Sequence, residues 1–259
     1  PLSQLDLTSA DLRAPSRLTP GRQDIPQSQP GIMPASLTRT VRPEQADDLP
    51  RLIDKAISAK GGLALLRSIR TVRSDSEMVF ATPAGEATVK ARAYVRYPGQ
   101  FRVDAEGPDG LRIQTFDNGI AWVSDGKQIE DAPAIVVRAM EAGVQRDTIG
   151  LLLALADKRV KGRRVADVHV DGTAMPAVAV QLSPAGQVTL VFDPSTGLLM
   201  QQRYGGGAGE PETEERFTDY RTVQGLQVAH RATLKRENNP PFERIVRTFE
   251  INVPIDSSF

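Results

Sequence analysis

Tyr94-Val95-Arg96-Tyr97-Pro98-Gly99-Gln100-Phe101-Arg102-Val103-Asp104 reads as a strand, a Pro-Gly turn and a second strand. A little further on, Phe116-Asp117-Asn118-Gly119-Ile120-Ala121-Trp122 repeats the device with an Asn-Gly turn. Gly and Asn accept the positive φ that tight hairpin turns demand, so these dipeptides punctuate antiparallel strands. The strands themselves alternate. Val89, Ala91, Ala93, Val95 and Tyr97 share one face, and Lys90, Arg92, Tyr94 and Arg96 share the other. Phe101, Val103 and Ala105 alternate with Arg102 and Asp104, and Leu111 and Ile113 with Arg112 and Gln114. A period of two with one apolar face predicts an antiparallel sheet with one dry side.

Working outward, the same pattern resumes at roughly 163–170, 175–183, 187–193, 198–204, 212–220, 226–236 and 243–252, with Asp171-Gly172, Asp193-Pro194-Ser195-Thr196-Gly197 and Gly225 as turns. Two helical stretches interrupt or precede it. Leu49, Leu52, Ile53, Ala56 and Ile57 fall on one helical face, with Asp47 or Asp48 as cap and Gly61-Gly62 as stop. Residues 63–69 follow as a second short helix. Between the strand runs, Pro133 opens a helix with a stripe of Ile135, Val136, Ala139 and Met140. Asp147 then caps 148–157, where Ile149, Leu151, Leu152, Leu153, Ala154, Leu155 and Ala156 are apolar nearly all round. Such a helix needs burial on more than one side, which places it across the concave face of the sheet. The fold expected is therefore α+β, a container or platform made of a curved antiparallel sheet.

Residues 1–46 differ from the rest. Pro15, Pro20, Pro26, Pro30, Pro34 and Pro43 forbid a long helix there, so the segment reads as a linker or extended arm leading into a domain at 47–259. The start at Pro1 suggests a processed form or fragment whose targeting segment has been removed.

Composition excludes several functions. Lysine plus arginine and aspartate plus glutamate both number 32, so no global field favours nucleic acid. Tyr94 between Arg92 and Arg96 is a single aromatic–basic interleaving, too little for a single-strand platform. The basic run 158–164 reads as a solvated turn. Cysteine is absent, which removes thiolate chemistry and disulfides. No apolar run approaches the length of a transmembrane helix.

Catalytic hardware is sparse. The two histidines, His169 and His230, fall in separate strands without a zinc motif, so no metal is expected. Gly205-Gly206-Gly207-Ala208-Gly209 lacks the lysine of a phosphate loop. Glu210, Glu212, Glu214, Glu215 and Asp219 read as one solvated strand face. An acid/base pair such as Asp104 with His230 is the kind an enzyme would require, and nothing in the spacing indicates it. The expectation is a non-enzyme without cofactor.

The runs 54–69, 97–103 and 116–122, supported by Phe192-Asp193-Pro194-Ser195-Thr196-Gly197-Leu198-Leu199 and 217–226, resemble the outer-membrane lipoprotein-sorting (LolA/LolB-like) superfamily. The resemblance covers about 47–259. It implies an unclosed antiparallel β-barrel, a half-barrel, with helices over its mouth and an apolar cavity that takes acyl chains. It implies a periplasmic or secreted domain binding a lipid, a lipoprotein acyl chain or another hydrophobic ligand. The cavity lining is then expected from Val95, Tyr97, Phe101, Val103, Ile113, Trp122, Leu152, Leu155, Leu190 and Phe192. Similar domains also follow the catalytic repeats of insulinase-type zinc peptidases through a Pro-rich linker. That implies an alternative role as an accessory module, with residues 1–46 contacting a zinc peptidase partner.

Overall fold

The structure, a computed structural model, describes residues 48–83, 85–183, 186–205, 212–237 and 239–255. The arm at 1–46 and the tip at 206–209 lie outside them.

The chain enters through α1 (Leu49–Lys60), with Pro50 in its first turn, where a missing N–H costs nothing. Ile53, Ala56 and Ile57 form its buried stripe. Gly61 ends it at φ 139°, and a side chain there would strike the Gly225 carbonyl at 2.8 Å. Glycine is therefore required by conformation and by contact. The short α2 (Leu63–Ser68) buries Leu66 completely and delivers the chain to the sheet.

The strands are β1 (Thr71–Thr82), β2 (Gly85–Arg96), β3 (Gln100–Gly107), β4 (Gly110–Asp117), β5 (Ile120–Ser124) and β6 (Ile129–Asp131). Two helices follow, α3 (Ala134–Gln145) and α4 (Thr148–Ala156). The second series is β7 (Gly162–Val170), β8 (Thr173–Leu182), β9 (Gly186–Phe192), β10 (Leu199–Tyr204), β11 (Thr213–Val223), β12 (Leu226–Arg236) and β13 (Phe242–Ile251). Among the described residues all thirteen form one antiparallel sheet, ordered β6-β5-β4-β3-β2-β1-β13-β12-β11-β10-β9-β8-β7.

This order explains the helices. Each series is a meander, and the pairing of β1 with β13 joins the two in mid-sheet. β6 and β7 are thus the two free edges, yet they are consecutive strands in the chain. The connection between them must cross from one edge to the other, and α3 and α4 lie within it. The sheet is a half-barrel that does not close, as expected.

The edges are blunted against further pairing. β6 is three residues long and carries Glu130 and Asp131. β7 is bulged between Val165 and Val168. The buried Arg164 holds that bulge, donating to the Ala177 carbonyl at 3.0 Å and pairing with Asp167. The solvated-turn reading of 158–164 therefore fails at its last residue, because a kinked edge strand offers carbonyls that only a long cation reaches.

Candidate functional site

Residues directly opposite in an antiparallel ladder share a face, so the register fixes the floor of the half-barrel. One row runs Val72, Val95, Phe101, Phe116, Ala121, with Phe101 and Phe116 stacked at 5.7 Å. The next is Ser74, Ala93, Val103, Gln114, Val123, followed by Ser76, Ala91, Ala105. Ser74, Ser76, Ala91, Ala93 and Ala105 are all buried. They make the central floor a trough of small side chains between bulkier ends.

The roof is α4. Ile149, Leu151, Leu152 and Leu155 join the same apolar cluster as Val95, Phe101, Val103, Leu190 and Phe192, with Tyr97 packed against it half-buried. Asp147 caps the helix, accepting from the Gly150 amide at 3.0 Å. α4 also packs on α1, α2 and α3. These contacts account for a helix that is apolar nearly all round.

Two expected lining residues are elsewhere. Ile113 stands opposite Asp104 and Ser124, and Trp122 opposite Thr115, in rows facing away from Phe101 and Val103. Gln114, not Ile113, is the buried neighbour of Val103. β4 carries apolar residues in both phases, and the Phe101–Phe116 stack selects one. A shift of one position flips every side chain.

The interior also holds charge, which the strand pattern concealed. Glu215 is 0% exposed, and Arg244 donates to its Oε1 at 3.2 Å. The acidic run is thus not a solvated face throughout: Glu214 pairs outward with Arg203 and Arg216, while Glu215 turns in. The Lys60 ammonium donates to the Gln227 carbonyl at 2.7 Å, and burial depresses its pKa to about 8 against the pull of Asp147. Burial, then the charge of Asp147, holds the Tyr97 phenol well above its usual range. The Tyr220 phenol is raised by burial and then by Glu215, and it donates to the Leu199 carbonyl. Isolated alternation cannot reveal these groups. Glu215 and Arg244 are two strands apart and meet only in the assembled sheet.

Asp104 and His230 do not meet. Asp104 faces outward and is bridged by Arg102 at 2.7 Å, whereas His230 is buried with Nδ1 3.1 Å from the Val228 carbonyl. No cluster of metal-ligating groups occurs among the described residues. No helix among them is long and apolar enough to cross a membrane. A depression of about 360 Å³ lies where outward-facing Asp75, Glu77, Lys90, Arg92, Asp104 and Glu106 meet Arg247. Arg92 pairs with Asp75 and Arg247 with Glu77 there, each at 2.6 Å.

No family model and no curated protein matches the chain. Solved structures do. A DUF1329 family protein from Desulfovibrio piger superposes with TM-score 0.57 at 9% identity, over 81% of this chain and 95% of that one. A LolA superfamily protein from Nitrosomonas europaea gives 0.56 at 10% identity, over 79% and 94%. A putative outer membrane lipoprotein-sorting protein domain from Vibrio parahaemolyticus gives 0.55 at 7% identity, over 82% and 96%. Likeness at such identities is likeness of fold, and this chain has the half-barrel fold of LolA-like lipoprotein-sorting domains.

Proposed function

We propose that this chain is a non-catalytic periplasmic domain that holds a hydrophobic ligand, a lipid or lipoprotein acyl chain, between the sheet and α4. The observation that carries this reading is the buried trough of Ser74, Ser76, Ala91, Ala93 and Ala105 on the sheet face whose apolar cluster takes in α4. Small side chains on a concave floor leave width for a polymethylene chain once α4 lifts. Each methylene taken from water contributes about 0.8 kcal/mol. A helix apolar on most sides loses little by exchanging protein contacts for acyl contacts. The name of the Vibrio parahaemolyticus structure, an outer membrane lipoprotein-sorting domain, supports the same ligand class and the periplasm.

The test is native mass spectrometry of the purified chain after delipidation and incubation with a bacterial lipid extract. Retention of an amphiphile at one per chain is the expected result. Failure to take up any amphiphile overturns the reading.

A further inference from the structure

Glu215 on β11 and Arg244 on β13 reach each other over β12, which contributes Ala232 directly beside Arg244. The small side chain lets the guanidinium cross. The pair is sealed from solvent, with the side chains 0% and 9% exposed, yet it is joined by a single hydrogen bond among the described residues, Arg244 Nη2 to Glu215 Oε1. Glu215 Oε2 and Arg244 Nε are buried without a hydrogen-bond partner among the described residues. Each such group costs free energy until it is met.

The two groups define complementary chemistry. Oε2 accepts and Nε donates. A plain hydrocarbon meets neither. A carboxylate meets Nε alone and is repelled by Glu215. A hydroxyl or a secondary amide, with one donor and one acceptor, meets both. Ser74 Oγ and Gln114 Oε1 also lack a partner among the described residues, on the same face and in one cross-strand row. They extend the polar points along the trough.

We propose that the half-barrel selects a hydroxyl- or amide-bearing lipid, whose polar group binds between Glu215 Oε2 and Arg244 Nε. This rests on the reading that the interior takes a hydrophobic ligand, and it names the class of that ligand.

The experiment compares 1-monomyristoylglycerol with methyl myristate, which share an acyl chain and differ in hydroxyl groups. Affinities are measured by displacement of a fluorescent fatty-acid probe and checked by native mass spectrometry. Wild type is expected to prefer the monoacylglycerol by about tenfold. The double variant Glu215→Leu/Arg244→Met removes both charges together, so neither is left buried and unpaired. It is expected to lose the preference while binding the methyl ester at least as tightly as wild type. Equal binding of the two ligands by wild type, or a preference that survives in the double variant, overturns the proposal. If neither ligand binds wild type, the hydrophobic-ligand reading falls as well, and the proposal with it. Should the double variant not fold, the wild-type ratio alone decides.

Discussion

A Cβ placed on Gly197 would stand 3.0 Å from the Lys55 carbonyl oxygen, while the Lys55 ammonium donates to the Pro194 carbonyl at 2.6 Å. The turn between β9 and β10 is thereby clamped to α1. Gly197 also has φ 81°, which a side chain strains further. Gly197→Ala is expected to cost about 2–3 kcal/mol, seen as a lower urea midpoint. Gly172, at φ 82° with nothing within 4 Å, is the control. Its alanine variant is expected to cost about 1 kcal/mol. Equal losses at the two sites would remove the clamp from the account.

Asp147 fixes the start of α4. Asp147→Ala is expected to cost about 1 kcal/mol by loss of the cap, and Asp147→Asn to retain most of it. Hydrogen exchange at the Gly150 amide, the group that Asp147 accepts from, is the direct readout. Faster exchange in the alanine variant with strand amides unchanged marks a loosened roof on an intact sheet.

Lys60 makes stability depend on alkaline pH. Its folded pKa, about 8, lies below the ordinary 10.5. Between those values the unfolded chain holds a proton that the folded chain has released, so stability rises with pH, by at most ~1.4 kcal/mol per unit. Above 10 the buried Tyr97 and Tyr220 phenols act oppositely, because the unfolded chain loses those protons first. Chemical denaturation across pH 7 to 11 is expected to show a rise and then a fall. Lys60→Met should flatten the rise and leave the fall.

Trp122 is the sole tryptophan, and it faces away from the trough. A ligand held against Phe101 and Val103 should leave its emission unchanged. Leu152 lies inside, 2% exposed. Leu152→Ala is expected to cost about 2–5 kcal/mol in stability and to preserve or increase uptake of a hydrophobic probe. A Trp122 response with an inert Leu152→Ala variant would move the ligand to the outer face.

Much of this fold is legible along the chain. The Asn118-Gly119 turn appears with φ 45° and 102°, and Asp147 caps the helix that its spacing suggests. Strand existence follows from local alternation and turn chemistry, which neighbouring residues carry by themselves. Facing is harder. In β4, Leu111 and Ile113 argue for one phase and Phe116 for the other, and only the partner Phe101, across the hairpin, decides. The buried charges are harder still. Glu215 sits beside Glu212 and Glu214, which face outward, and its inward turn is met by Arg244, which is remote in sequence. The small residues of the trough were visible as Ala91, Ala93 and Ala105. Their meaning depends on knowing that a helix spans the space above them.

The crossing segment that carries α3 and α4 is stitched into β6 at one rim and β7 at the other. It is held like the handle of a pail, fixed at both ends. A ligand held as proposed would thread lengthwise beneath it, and the cover would stay with the vessel.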